Sequence, residues 1–238
     1  MKATVDRRRF LKTSAAFSGI SILPAHVWAN APSSKLQIAQ IGVAGKGGSD
    51  RGSIASHASA QFVGLCDVDR DRLKGAVAST PGSKSFEDYR EMLDTMGDKL
   101  DAVVVSTPDH THAPASVMAM NMGMHVYCQK PLAHEVHETR VMRELAAKNK
   151  LVTQMGIQVH SSLQYRLATA MIQSGAIGKV KEVVAWSNKN WGYDGGAITG
   201  SDPIPGNLNW EQWIGSADMR PFVKGKYHPG QWRKLIDF

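Results

Sequence analysis

A glycine cluster sits between two apolar strands, with an acid twenty residues after its last fingerprint glycine, and this constrains the chain more than any other feature. Leu36-Gln37-Ile38-Ala39-Gln40-Ile41 is an apolar-rich run with period-two character. Gly42-Val43-Ala44-Gly45-Lys46-Gly47-Gly48 ends it at a point where no ordinary strand or helix continues. Arg51 to Ala58 reads as one or two helical turns, and Phe62-Val63-Gly64-Leu65-Cys66 as a second strand closing on Asp67. Strand, glycine turn, helix and strand in this order make a dinucleotide-binding unit. Glycines let the main chain approach a diphosphate, and the helix N-terminus adds unpaired N–H groups and the positive end of its dipole. Asp67 lies 20 residues after Gly47, where an acid is expected at the adenosine ribose. In the G-x-G-x-x-G frame the three positions are Gly42, Ala44 and Gly47, so a methyl stands at the middle one, while Gly45 and Gly48 keep the turn permissive.

Beyond Asp67 the same alternation continues. Asp69 caps a helix from Arg70 to Ser79, Thr80-Pro81-Gly82-Ser83 breaks it, and a helix follows from Glu87 to Met96. Ala102 to Ser106 is a β-branched run that reads as a central parallel strand buried on both faces. A helix from Ala113 to Met122, a strand at His125 to Cys128, a helix from Glu135 to Asn149 and a strand at Val152 to Met155 complete the series. The fold class is therefore α/β, a Rossmann-type doubly wound parallel sheet over residues 35–157. From 158 the pattern changes to a helix over Leu163 to Ser174, an alternating strand over Val180 to Ser187, and a short helix around Trp210 to Ile214. One strand and two helices cannot close a core. Residues 158–238 read as the incomplete start of a second α/β domain with an open sheet.

The first 31 residues stand apart as a targeting segment. Arg7-Arg8-Arg9-Phe10-Leu11 fits the twin-arginine pattern, a weakly apolar stretch follows to Leu23, and Val27-Trp28-Ala29 offers small residues for cleavage. The expectation is export to the periplasm, with the twin-arginine machinery as partner. This segment carries four of the chain's seven net positive charges, so the remainder supports no nucleic-acid footprint. No apolar run reaches bilayer length. Cys66 and Cys128 end strands two and five, which are not neighbours in a doubly wound sheet. Two buried thiols and no disulfide are expected.

Several ordered segments together resemble the Gfo/Idh/MocA oxidoreductases: Ile41 to Gly47, Cys66-Asp67-Val68-Asp69, Ser106-Thr107-Pro108-Asp109-His110-Thr111-His112, Lys130-Pro131-Leu132-Ala133, Gly175 to Val180, and Leu208 to Gly215. The resemblance implies a Rossmann domain followed by an open-faced α/β domain. It implies NAD or NADP as cofactor and a small sugar or polyol as substrate. By the family pattern Gly42, Ala44, Gly45, Lys46, Gly47 and Asp67 hold the nucleotide, and Thr107, Pro108 and His112 line its nicotinamide half. Gln129 and Lys130 follow the strand after them, and Lys130 would serve as the catalytic group between nicotinamide and substrate hydroxyl. Two departures stand out. Gln129 replaces the family's usual glutamate, and the partner histidine or aspartate of the second domain does not occur before Phe238.

Oxidising a secondary alcohol needs a hydride acceptor and a group that takes the hydroxyl proton. A lysine holds its proton at about 10.4 in water, and burial beside a cofactor lowers that value. A glutamate at 129 would oppose the shift, so Gln129 leaves Lys130 either a better base or a less well anchored one. Asp67 favours NAD, since its carboxylate accepts from the ribose 2′-hydroxyl and repels a 2′-phosphate. Arg70 and Arg72 weaken that preference and leave NADP open. His110 and His112 have no third ligand at sensible spacing, so no metal site is read, and His110 reads as a solvated loop histidine. Gln158 and His160 open the second domain and can face the cleft. Trp186, Trp191, Tyr193, Trp210 and Trp213 serve sugar stacking, core packing or a sheet-to-sheet contact between copies, and the alternating strand Val180 to Ser187 favours the last. Three functions stay open: a sugar or polyol oxidoreductase, an NAD-dependent glycosidase working by transient oxidation and elimination, and a non-catalytic nucleotide-binding fragment.

Overall fold

Six parallel strands form one sheet in the order β3-β2-β1-β4-β5-β6. They are β1 Leu36–Ile41, β2 Ala60–Cys66, β3 Lys84–Phe86, β4 Ala102–Val105, β5 His125–Gln129 and β6 Thr153–Gly156. The chain builds outward from β1 to β3, then returns beside β1 and builds the other way. That reversal opens a crevice above the carboxyl ends of β1 and β4, where doubly wound sheets bind ligands. The computed structural model describes residues 35–188, 192 and 195–238. Residues 1–31, expected from the sequence to be a targeting segment, and Trp191 and Tyr193 lie outside the described residues.

Helices α1 Lys46–Ala55, α2 Arg70–Ala78, α3 Tyr89–Met96, α4 His112–Asn121 and α5 Val136–Lys148 connect the strands. Asp69 caps α2 by accepting from the Asp71 and Arg72 N–H groups, Asp88 caps α3, and Glu138 reaches back to the Glu135 N–H at 2.9 Å to open α5. The period of two, shifted once in β2 where the register skips Val63, divides the strand side chains between two cores. Ile38, Phe62, Leu65 and Val104 pack with Leu73 and Ala76 on one face, while Ala39, Ile41, Val103 and Val105 pack with Met92, Met96, Met120 and Met142 on the other. Val103, Val104 and Val105 are all fully buried, and each contributes roughly 1.5–3 kcal/mol. Cys66 and Cys128 are free and buried. Their strands are separated by β1 and β4, as the sheet order demands.

The local structure departs from the sequence reading in several places. Helix α1 starts at Lys46 rather than Arg51, because the chain turns at Gly45 with φ 55° and enters the helix within the glycine cluster. Strand β3 has no apolar run to announce it. It forms because the turn before it lays Lys84–Phe86 alongside Gly64–Cys66. Residues 180–187 form no strand and are exposed. Alternation marks a face to be covered, but a strand also needs a neighbour, and no described strand pairs with this one. The expected contact between copies through that sheet therefore has no sheet among the described residues. Of the readings left open for the aromatic residues, core packing holds for Trp210 and Trp213, whereas Trp186 is exposed.

Two further helices follow the sheet: α6 Leu163–Gln173, which buries no residue, and α7 Trp210–Ile214. Residues 198–238 are mostly irregular but close around a third core of Leu208, Trp210, Trp213, Phe222, Tyr227, Trp232 and Phe238. The Trp210 and Trp213 rings stack at 4.8 Å and 11°. This stretch lies against the sheet layer: Arg70 N–H donates to the Asn207 carbonyl at 2.8 Å and Asn209 N–H to the Val68 carbonyl at 2.9 Å. No described helix is long and apolar enough to cross a membrane.

Candidate functional site

The turn after β1 is held from beneath by one buried and one half-buried polar side chain. Gly42 has φ 82°, and a Cβ there would stand 2.6 Å from the Ser106 carbonyl oxygen. A Cβ on Gly47 would run into the Gly42 carbonyl. Both positions exclude every side chain, so β1, the turn and β4 approach as closely as a glycine permits. Gln40, fully buried, donates from Nε2 to the Gly47 carbonyl at 2.8 Å. Arg51 Nη1 donates to Gln40 Oε1 and to the Val43 carbonyl, each at 3.0 Å. Neither brace was identified from the sequence. The signal for Gln40 is a polar residue in an apolar strand, which is costly unless it is satisfied.

Above this floor lies a cleft of about 320 Å³. Gly42, Ala44, Gly45 and Lys46 of the turn line it, with Asp67 after β2, Thr107 and Pro108 after β4, and Gln129 and Lys130 at the end of β5. Gly47 lies under the turn, buried. Asp67 accepts from Val43 N–H and Asp69 N–H, both at 3.0 Å. Burial pushes its carboxyl up from the ordinary value, against those two bonds. Lys130 is exposed and faces the cleft as one of its lining residues. Gln158 and His160 are exposed and take no part in the lining.

The two loop histidines differ from expectation. His112 is buried and does not line the cleft. Its Nδ1 meets the Pro131 carbonyl at 2.6 Å and its Nε2 the Thr107 carbonyl at 2.9 Å, so it ties the loop after β4 to the turn after Lys130. His110 is not solvated but buried, its Nε2 donating to the Trp213 carbonyl at 3.0 Å, its ring edge-on to Phe238. Burial pushes it down to about 4, with the Trp213 bond opposing. Both partners come from more than a hundred residues later, which no local pattern reveals. Among the described residues no three metal-ligating side chains come together. Burial pushes the Cys128 thiol up to about 12 and that of Cys66 well above its ordinary value, which disfavours the thiolate form at both.

The opposite wall comes from the closing stretch, with Gln212, Trp213, His228, Pro229, Trp232 and Arg233 lining the cleft. Asp69 anchors it. Besides capping α2, its carboxylate accepts from Asn207 Nδ2 at 2.9 Å and from His228 Nε2 at 3.0 Å. Trp213 Nε1 donates to His228 Nδ1 at 3.2 Å, which fixes the tautomer that carries its proton on Nε2. Gln212 Nε2 donates to Asp88 at 3.0 Å.

These residues fit a dinucleotide. A Cβ placed on Gly45 would meet nothing within 4 Å, so the space over the turn is open where a diphosphate lies, and Asp67 stands at the neighbouring strand end for a ribose. A parallel sheet with this switch point and turn defines a dinucleotide-binding Rossmann protein. The chain belongs to the Gfo/Idh/MocA oxidoreductase family, whose NAD-binding Rossmann-fold model matches residues 36–157. Among curated proteins it is similar to glucose-6-phosphate 3-dehydrogenase of Bacillus subtilis, 25% identical over 63% of this chain and 43% of that protein. Inositol 2-dehydrogenase of Rubrobacter xylanophilus is 31% identical over 61% of this chain and 42% of its own length. Among solved structures, myo-inositol 2-dehydrogenase from Lactobacillus plantarum superposes with a TM-score of 0.57 at 26% identity, covering 61% of this chain and 43% of that one. The WlbA dehydrogenase from Chromobacterium violaceum, solved with NADH and UDP-GlcNAcA, gives 0.55 at 26% identity, covering 60% and 41%. The chain spans less than half the length of these relatives.

Proposed function

We propose that this chain is the nucleotide-binding part of an NAD-dependent oxidoreductase that transfers hydride between the cofactor and a hydroxyl-bearing carbon of a sugar or polyol. The carrying observation is that the glycine turn, Asp67, Thr107-Pro108 and Gln129-Lys130 converge on one cleft at the carboxyl ends of four strands. Relatives named as inositol and glucose-6-phosphate dehydrogenases support the substrate class. The nicotinamide supplies the hydride acceptor. Gly42, Gly45 and Lys46 would hold the diphosphate through the main chain of the turn, and Asp67, held rigid by two N–H groups, would accept from the ribose 2′-hydroxyl and select NAD over NADP. Lys130 takes the hydroxyl proton, and His112 holds the loops on either side of it in register.

Trp213 and Trp232 line the cleft, so NADH binding is measurable through protein fluorescence. Wild type should saturate, Asp67→Ala should weaken binding by about tenfold or more, and Lys130→Met should bind normally while losing on the order of 10²-fold or more in turnover. No saturable binding by wild type overturns the reading. Export rests on Arg7 and Arg8 ahead of an apolar stretch. Replacing both by lysine should hold a fused reporter in the cytoplasm, and unchanged export would remove that part.

A further inference from the structure

Beneath the cleft floor one carboxylate ties three segments together, and the nucleotide assignment leaves it unused. Asp50, in α1, is 5% exposed. It pairs with the Lys46 ammonium at 2.8 Å, and its Oδ2 accepts from Ser106 Oγ at 2.9 Å and from Gln129 Nε2 at 2.8 Å. Those partners belong to the glycine-turn helix, the residue after β4 and the last residue of β5. The Gln129 amide is tied at both ends, since its Oε1 accepts from the Lys130 N–H at 3.3 Å. A buried carboxylate is tolerated only when donors fill its oxygens, and here they do. A glutamate at 129 would bring a second carboxylate to hydrogen-bond distance of the first, a strongly unfavourable arrangement. Glutamine has the same length and donates instead.

We propose that Asp50 is a positioning residue for Lys130. It carries the one carboxylate of this cluster on the helix, where Lys46 neutralises it, and fixes the Gln129 amide so that Lys130 extends from a strand end with an uncharged neighbour. A negative group directly beside an ammonium holds the proton on. Moving that group to α1 keeps the packing it provides without that effect. The inference rests on the assignment of Lys130 to proton transfer and adds to it the reason for the Asp50–Gln129 pair.

Three variants of the full chain test it: Asp50→Asn leaves the cluster with no carboxylate, Gln129→Glu gives it two, and the double variant gives it one, transposed to the strand. Thermal midpoints report packing. Each single variant should lose about 5 °C or more, and the double should recover most of the loss. The pH at which Lys130 becomes reactive toward an acylating reagent, followed by peptide mass spectrometry, reports how tightly its proton is held. It should rise by about half a unit or more in Gln129→Glu and in the double variant, and should not rise in Asp50→Asn. Should Gln129→Glu not fold, the double variant set against Asp50→Asn carries both measurements. A double variant as unstable as the singles overturns the inference. So does an unchanged Lys130 profile in the glutamate-bearing variants, which would leave Asp50 a purely structural residue. Failure of wild type to bind NADH would remove the nucleotide reading, while the thermal midpoints and the lysine profile would still decide the role of Asp50.

Discussion

Two stretches follow the sheet, 163–187 and 198–238. Both are rich in large apolar side chains, and they meet opposite fates. Leu163, Leu167, Val183 and Trp186 of the first are all more than half exposed, while Trp210, Trp213, Trp232 and Phe238 of the second are buried. Apolar content does not separate them. The second stretch concentrates its rings, with Trp210 and Trp213 stacked and Phe222, Tyr227 and Phe238 set against them. It also offers donors and acceptors that meet groups displayed at the sheet's edge: the Asp69 carboxylate, the Val68 carbonyl, the Arg70 N–H, Asp88 and the His110 ring. Apolar surface supplies the free energy of docking, but polar pairing decides where a segment docks, because each buried polar group must find its partner. The consequence is functional. The docked stretch becomes a wall of the cleft, outside the span matched by the family model.

The contrast is tested most severely at a deeply buried ring. Trp213→Ala should cost about 3–5 kcal/mol in urea unfolding, since it opens a cavity and takes the N–H donor from His228. Trp186→Ala should stay within about 0.5 kcal/mol. Equal losses would erase the distinction.

Acid should loosen the docked stretch next. His110, covered by Trp213 and Phe238, has a folded value of about 4 against an ordinary 6.5, burial being the main cause. The unfolded chain therefore takes up this proton first. Stability is whole above about pH 6.5 and falls as the pH drops toward 4, by about 3 kcal/mol once the folded ring also titrates. The difference between wild type and His110→Asn, measured by urea unfolding at several pH values across that window, should contain this loss. A parallel pair of curves would refute it.

Within the docked stretch the smallest loss is expected at the anchor. Asparagine still caps a helix, so Asp69→Asn spares α2 while replacing the charged acceptor for His228 and Asn207. A loss of about 1–2 kcal/mol is expected. Amide exchange should quicken across 207–215 and 227–232 and stay unchanged in β1. Uniform acceleration would show the stretch to be no separate unit of stability.

Much of the sheet was legible from residues alone. The Val103-Val104-Val105 run, the Asp69 cap, the glycine turn and Asp67 each announce themselves within a few positions, and all stand where they were expected. The site was legible as far as its floor. Gln40 and Arg51 beneath the turn, Asp50 between three segments and the burial of His110 were not, because each depends on partners brought close only by folding. His228 meets Asp69 across 159 residues of sequence. Strand β3 illustrates the same limit at short range, since three residues without an apolar run become a strand through the neighbour laid beside them.

The parallel sheet, its reversal of direction and the crevice above it follow from short-range patterns of residues. Period-two burial, positive φ at a glycine and a side-chain cap are properties of a few consecutive residues. Folding brings a closing stretch with little regular structure up as the wall of that crevice and sets a helix carboxylate against the amide beside Lys130. Those depend on which buried polar groups become neighbours, and in water each of them is satisfied wherever it stands.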